Sequence, residues 1–129
     1  MNQPKLKAMK KALLLLSFLS IGIVFSSFKS SDWKFLPTTL KVTVLDELGN
    51  PVQGCKVTLY LTENDYREET NPVGEGMLTD EGGVVRFKKL EPVEYYVHAI
   101  YEKKTNIGAG VKTQTLQEGK TNRVNTVIR

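Results

Sequence analysis

Histidine and cysteine are the residue types best suited to catalysis in this sequence, and each occurs once, as His98 and Cys55. A catalytic thiolate would need His98 beside it and partial exposure to solvent. Cys55 instead opens an alternating apolar run with Val57 and Leu59, so we expect it to face the core as a small apolar residue. A single cysteine cannot close an intramolecular disulfide, so the fold must be held by its core.

Other catalytic and metal sites lack the residues that they require. No serine follows Ser31, so a serine triad has no nucleophile in the body of the chain. Zinc needs three or four ligands, whereas His98 and Cys55 fall on opposite predicted faces of their strands. Gly108-Ala109-Gly110 lacks the lysine and the helix that follow in a phosphate-binding loop. We therefore predict no catalytic residues, no metal and no cofactor.

Residues 63–76 form an acidic, polar segment that is interrupted by Asn71-Pro72 and two glycines. Its carboxylates belong to Glu63, Asp65, Glu68, Glu69 and Glu75. A calcium loop needs oxygen ligands at a set spacing around a glycine turn, and that spacing is absent. We expect a solvated long loop or a single helical turn.

The candidate binding residues are Tyr60, Tyr96, His98 and Ile100, which fall at outward-facing positions of predicted strands. Exposed aromatic rings on a flat sheet face can stack on sugars or contact another protein. Tyr66 in the acidic segment would join this patch if the segment folds over it. The alternative is that the tyrosines pair across strands and only stabilise the sheet.

The net charge of +4 is confined to the N-terminal segment. Lys5, Lys7, Lys10 and Lys11 are the only charged residues before Lys29, and the remaining 14 basic side chains match the 14 acidic ones. A formally neutral body has no electrostatic footprint for phosphate, so we predict no nucleic-acid partner.

The four lysines precede an uncharged run of 17 residues, Ala12 to Phe28, and polar residues follow it. This order is typical of a secretory signal, and a helix of that length, about 25 Å, only just spans a bilayer core. Residues 1–27 are therefore predicted to be a signal peptide, with Val24 and Ser26 acceptable to signal peptidase. An uncleaved signal anchor is the alternative, and membrane contact would then be made through residues 1–28. We expect an exported protein, periplasmic or secreted, and no lipid anchor because no cysteine follows the run.

Residues 28–38 are predicted to be a linker, with Trp33 and Phe35 at strand spacing. Beyond the linker the apolar residues recur with a period of two, which predicts β-strands. The predicted strands cover 40–44, 55–62, 77–79, 84–88, 95–101, 107–115 and 122–129. We therefore predict an all-β domain over 39–129, a seven-stranded antiparallel β-sandwich.

Several of these strands and turns carry recognisable spacings: Leu40-x-Val42-x-Val44-x-Asp46, Gly49-Asn50-Pro51-Val52-x-Gly54, Thr79-Asp80-x-x-Gly83-x-Val85-x-Phe87-x-x-Leu90 and Tyr95-x-Val97. Together they resemble the carboxypeptidase regulatory-like domain. The resemblance implies a prealbumin-like, or transthyretin-like, Greek-key sandwich. One position departs from it, because Val93 stands where the family usually has a glycine.

Modules of this family are usually non-catalytic. Hydroxyisourate hydrolases share the fold but use several histidines, an arginine and a C-terminal Tyr-Arg-Gly-Ser, whereas this chain ends Asn125-Thr126-Val127-Ile128-Arg129. The resemblance thus implies a scaffold or protein-interaction module of the cell envelope. Its expected partner is another envelope or outer-membrane protein, bound at a sheet edge or at the face of Tyr96, His98 and Ile100. The alternative is a carbohydrate-binding module that holds a glycan on exposed aromatic rings.

Overall fold

The computed structural model describes residues 36–129. The predicted signal segment, 1–27, and most of the predicted linker, 28–38, lie outside the described residues. Within the described part, no helix has the length and apolar character needed to cross a membrane.

The described part contains seven strands and one short helix. They are β1 Thr39–Leu45, β2 Lys56–Tyr60, α1 Glu63–Glu68, β3 Met77–Leu78, β4 Val84–Phe87, β5 Tyr96–Tyr101, β6 Lys104–Thr105 and β7 Thr121–Val127. The strands form a three-stranded sheet in the order β4-β1-β7 and a four-stranded sheet in the order β3-β2-β5-β6. The predicted β-sandwich is therefore confirmed.

One strand pairing departs from the antiparallel prediction. β1 and β7 run parallel, from Thr39 opposite Thr121 to Leu45 opposite Val127. The alternation of apolar residues in β7 is compatible with either direction, because it records only which side chains face the core. The direction of β7 relative to β1 is set by the route that the chain takes between the two sheets.

The strand predicted over 107–115 does not form as a continuous element. Gly108 and Gly110 have φ values of 84° and 68°, which lie in the left-handed region and turn the backbone out of an extended path. The chain rejoins the sheet only locally, where the Val97 N–H donates to the Val111 carbonyl at 2.7 Å and the Thr113 N–H to the Tyr95 carbonyl at 2.8 Å.

The core is built from the alternating residues of both sheets. Leu40, Val42, Val44, Val57, Leu59, Val97 and Ala99 are all at most 1% exposed. Cys55 is completely buried among them, as predicted. Burial of these side chains supplies the main free energy of folding, at about 25 cal/mol per Å² of apolar surface removed from water.

Two turns that the sequence motifs mark are held by side-chain hydrogen bonds. The Asp80 carboxylate accepts from the N–H groups of Gly82 and Val84, and it holds the tight turn that carries the chain from β3 in one sheet to β4 in the other. Gly83 is required there, because an added Cβ would lie 2.6 Å from the Val44 carbonyl oxygen. At the corner before β5, the Tyr95 hydroxyl accepts from the Glu91 N–H and donates to the Glu91 carbonyl.

A buried asparagine joins the two sheets. Asn106 is fully buried, and its amide nitrogen donates to the Val97 carbonyl at 2.7 Å and to Thr126 Oγ1 at 3.0 Å. Its amide oxygen accepts from the Ala99 N–H at 3.0 Å. Because Val97 and Ala99 lie on β5 and Thr126 lies on β7, one side chain connects the layers of the sandwich.

We expect Asn106→Ala to lower the free energy of unfolding by about 3 kcal/mol, since it leaves buried groups of Val97 and Ala99 without partners. The matched control Asn64→Ala, at an exposed position of α1, should change it by less than about 0.5 kcal/mol. Urea denaturation measures both. An equal, small effect of the two substitutions would contradict the structural role of Asn106.

Candidate functional site

The candidate site lies on the outer face of the four-stranded sheet, where α1 packs. The helix begins after Thr62, whose hydroxyl accepts from the Asp65 N–H at 3.1 Å, and it ends at Glu69 in the left-handed conformation. An ion pair of 2.6 Å between Arg67 and Glu63 braces its exposed side. Because α1 follows β2 after a short connection, it lies back over β2 and β5.

The helix inserts Tyr66 among three side chains of the sheet. The Tyr66 ring stacks on Tyr96 with centroids 6.2 Å apart, and it meets Tyr60 and His98 edge-on at 6.2 and 5.7 Å. We call Tyr60, Tyr66, Tyr96 and His98 the aromatic cluster. Aromatic pairs at these separations each contribute about 0.5–1.5 kcal/mol beyond their buried area.

The four residues predicted to form the site lie on one face of the sheet, but two of them are buried. Tyr60 lies opposite Tyr96, and His98 and Ile100 follow along β5. Tyr60 and His98 are only 4% and 6% exposed, so the prediction of an exposed aromatic surface is wrong for both. The reason is α1, which shields them from solvent, whereas Tyr96 and Ile100 remain half-buried.

The sequence contains a local signal for the start of α1. Thr62-x-x-Asp65 has the form of an N-terminal cap, with a hydroxyl at the first position and an acid three residues later. Of the two alternatives predicted for residues 63–76, a long loop or a single helical turn, the short helix Glu63–Glu68 agrees with the second over the first part of the segment. The packing of that helix on the sheet has no comparably local signal.

His98 is the buried titratable group of the site. Its Nε2 lies 3.3 Å from Glu69 Oε1, and the Glu69 side chain is 61% exposed. Burial is the main cause that lowers the pKa of His98; the Glu69 carboxylate raises it by a smaller amount, and Lys56 lowers it by a still smaller amount. The imidazole is therefore neutral at neutral pH, and the contact with Glu69 is not a full ion pair there.

The Tyr66 hydroxyl is the polar atom of the site whose bonding is incomplete. Its oxygen is buried and has no hydrogen-bond partner among the described residues. Such a group costs about 1–3 kcal/mol relative to a satisfied one. Burial, together with the negative charge of Glu69, also raises the pKa of Tyr66, so the phenol stays protonated.

Two grooves flank the contact between His98 and Glu69. The first, of about 560 Å³, is bounded by residues 72–76 and by Lys56, and we call it the Pro72 groove. The second, of about 590 Å³, lies between α1 and the turn after β6, and we call it the Ile107 groove. Glu69, His98 and Ile100 line both, so this row of side chains forms a ridge between them.

The described residues do not assemble a recognisable catalytic arrangement. Cys55 lies in the core on the opposite face of the sheet from His98, and burial raises the pKa of its thiol to about 11. A thiol with that pKa is almost entirely protonated at neutral pH and is a poor nucleophile. Within residues 36–129, no group of three histidine, cysteine or acidic side chains is close enough to hold a metal ion.

Comparisons with known proteins identify the fold. No family model and no curated protein matches the sequence. Among solved structures, a streptococcal ancillary pilin is similar with a TM-score of 0.54 and 17% identity, over 76% of this chain and 33% of that one. The major pilin subunit of Bacillus cereus has a TM-score of 0.47 and 15% identity, over 71% of this chain and 28% of that one. The Bacillus anthracis TIE protein has a TM-score of 0.45 and 15% identity, over 70% of this chain and 16% of that one.

The chain thus spans about a third or less of the length of these similar structures. At such identities the likeness concerns the fold alone. It agrees with the two-sheet sandwich seen here, but it does not show membership of the carboxypeptidase regulatory-like family. This chain is a β-sandwich similar to part of a pilin.

The buried, neutral His98 predicts a pH-dependent stability. Since the folded-state pKa is below the unfolded value of about 6.5, the unfolded chain takes up the proton first as the pH falls. We expect the melting temperature to decline as the pH falls through about 6.5, and His98→Gln to flatten the curve between about pH 7.5 and pH 5.5. Curves of equal slope for both proteins would contradict this assignment.

Proposed function

We propose that this protein is an exported, non-catalytic β-sandwich module that binds another cell-envelope protein. The single observation that carries the proposal is the Ile107 groove beside the aromatic cluster. It combines the exposed apolar side chain of Ile107 with the ridge of Glu69, His98 and Ile100, two of which lie on β5. That combination is typical of a surface that receives a side chain of a partner.

The chemistry of the groove favours a protein partner. Ile107 is 68% exposed and lines the groove together with Ile100, so an apolar anchor of a partner would be desolvated there. Glu63, Arg67 and Glu69 surround this apolar centre with charges that stay accessible to water. An apolar centre with a polar rim is the usual organisation of a protein interface.

The order of the N-terminal residues supports export. We propose a signal peptide or uncleaved signal anchor over 1–27, a linker over 28–38 and a carboxypeptidase regulatory-like domain over 39–129. We place the domain in the periplasm or outside the cell, tethered to the membrane only if the signal is retained.

The carbohydrate-binding alternative is weakened by the packing of the tyrosines. Sugar stacking needs an aromatic face open to solvent, whereas Tyr60 and Tyr66 are buried. Tyr96 has Tyr66 stacked on its ring and the Lys112 ammonium 5.7 Å from its centroid. A glycan would have to displace one of them.

The proposal is tested by replacing one exposed apolar side chain of the groove with a charged one. The protein is used as bait in cell-envelope extract with cross-linking, and the captured protein is then purified and its affinity measured. We expect Ile107→Glu to weaken binding at least tenfold, about 1.4 kcal/mol, because it places a charge where the partner is desolvated.

Leu48→Glu is the matched control, since Leu48 is 87% exposed in the turn after β1 and lies outside both grooves. Equal affinities for the two variants would rule out the Ile107 groove as the interface. Retention on a polysaccharide column that is lost in Tyr96→Ala would favour the carbohydrate-binding alternative. A hydrolase activity that is lost in His98→Ala would contradict the non-catalytic assignment.

A further inference from the structure

A long strand edge remains open in the described part of the chain. β7, with seven residues, is an outer strand of the three-stranded sheet and pairs there only with β1. The outer strands of the other sheet, β3 and β6, have two residues each. The opposite edge of the three-stranded sheet, β4, has four residues and is followed by Lys88 and Lys89.

The ladder with β1 determines which backbone groups of β7 point outward. Ile128 N–H donates to the Leu45 carbonyl, and Thr39 N–H donates to the Lys120 carbonyl, both at 3.0 Å. In a parallel ladder alternate residues bond to the neighbour, so the even-numbered residues of β7 face β1. The N–H and C=O groups of Thr121, Arg123, Asn125 and Val127 therefore point away from the sheet.

Natural proteins usually protect such an edge with lysines, prolines or bulges. β7 contains no proline and no lysine, and Arg123 is its only charged residue. An unprotected seven-residue edge is a template for one more strand. The question is which strand fits it.

We propose that the β7 edge pairs with β7 of a second copy of this chain, antiparallel about a twofold axis at Val124. The outward groups at 121, 123, 125 and 127 are distributed symmetrically about residue 124. In that register Thr121 lies opposite Val127 of the second copy and Arg123 lies opposite Asn125. Each facing pair exchanges two backbone hydrogen bonds, so every outward group finds a partner.

Charge also favours this register over the one centred on residue 123. Moving the axis to residue 123 places Arg123 opposite its own copy, and like charges directly opposed destabilise strand pairing. The axis at Val124 avoids this contact and keeps all seven residues paired. The result is a continuous six-stranded sheet across two molecules, in the order β4-β1-β7-β7-β1-β4. Because strand pairing alone buries a small area, we expect a weak, concentration-dependent dimer.

The pairing is tested on the full chain in mild detergent by sedimentation velocity over a range of concentrations. Arg123→Pro removes an outward N–H without touching the β1 ladder, and we expect it to weaken self-association at least tenfold. Arg86→Pro is the matched control, because the Arg86 N–H points outward from β4 in the same sheet. We expect Arg86→Pro to leave self-association unchanged.

A charge series at Asn125 tests the register without relying on a proline that could unfold the strand. Asn125 is exposed, so its substitution should leave folding unchanged. Asn125→Glu would face Arg123 of the second copy and strengthen the dimer, whereas Asn125→Arg would weaken it. Amide hydrogen exchange should slow at Arg123, Asn125 and Val127 as concentration rises, while Val124 and Thr126 exchange slowly at every concentration.

Three outcomes would overturn the proposal. One is a chain that stays monomeric to millimolar concentration. Another is self-association that is indifferent to the charge at Asn125, which would indicate a contact elsewhere. The third is slow exchange of the outward amides at every concentration, which would indicate that another part of the same chain covers the edge.

Discussion

The pairing of β1 with β7 is the interaction on which the rest of the structure depends. β1 lies in the middle of its sheet, antiparallel to β4 on one side and parallel to β7 on the other. This arrangement joins the first and last strands of the described domain in one parallel ladder. Asn106 then connects β7 to β5, and Arg129 exchanges backbone hydrogen bonds with Thr105 of β6. These hydrogen bonds connect the end of β7 to the second sheet.

The candidate site follows from that framework. The register of β2 and β5 places Tyr60, Tyr96 and His98 side by side, and the short connection from β2 returns α1 over them. The helix buries His98 and leaves its neighbour Glu69 in solvent, so a neutral imidazole lies at the boundary between a packed cluster and two open grooves. The thiol of Cys55 and the imidazole of His98 lie on opposite faces of the sheet, so the two side chains do not meet. The two proposals concern different sheets, so a partner at the Ile107 groove and a second copy at β7 do not compete for the same residues.

Much of the fold could be predicted from the residues alone. The alternation in Leu40, Val42 and Val44 identified a half-buried strand, and that in Cys55, Val57 and Leu59 identified another. The predicted burial of Cys55 is confirmed, and so is the tight turn at Asp80 and Gly83. The two strands beside this turn were expected to pair as a hairpin, but β3 pairs with β2 and β4 pairs with β1 in the other sheet. The strand predicted over 107–115 was wrong, since the glycines there adopt positive φ angles that a strand does not accommodate. For the candidate site, the shared face of Tyr60, Tyr96, His98 and Ile100 could be predicted, but the exposure of Tyr60 and His98 could not.

The sequence by itself determined which side chains lie on each face of a strand, because alternation along an extended chain is a local geometric property. It also determined that histidine and cysteine occur once each, since composition is a property of the sequence alone. The tertiary structure decided the parallel direction of β7, the burial of the aromatic cluster under α1 and the position of the open edge. Each of these features depends on contacts between residues far apart in the chain. The alternation of apolar residues along a strand is the same whether its outer face meets water, a helix or another molecule.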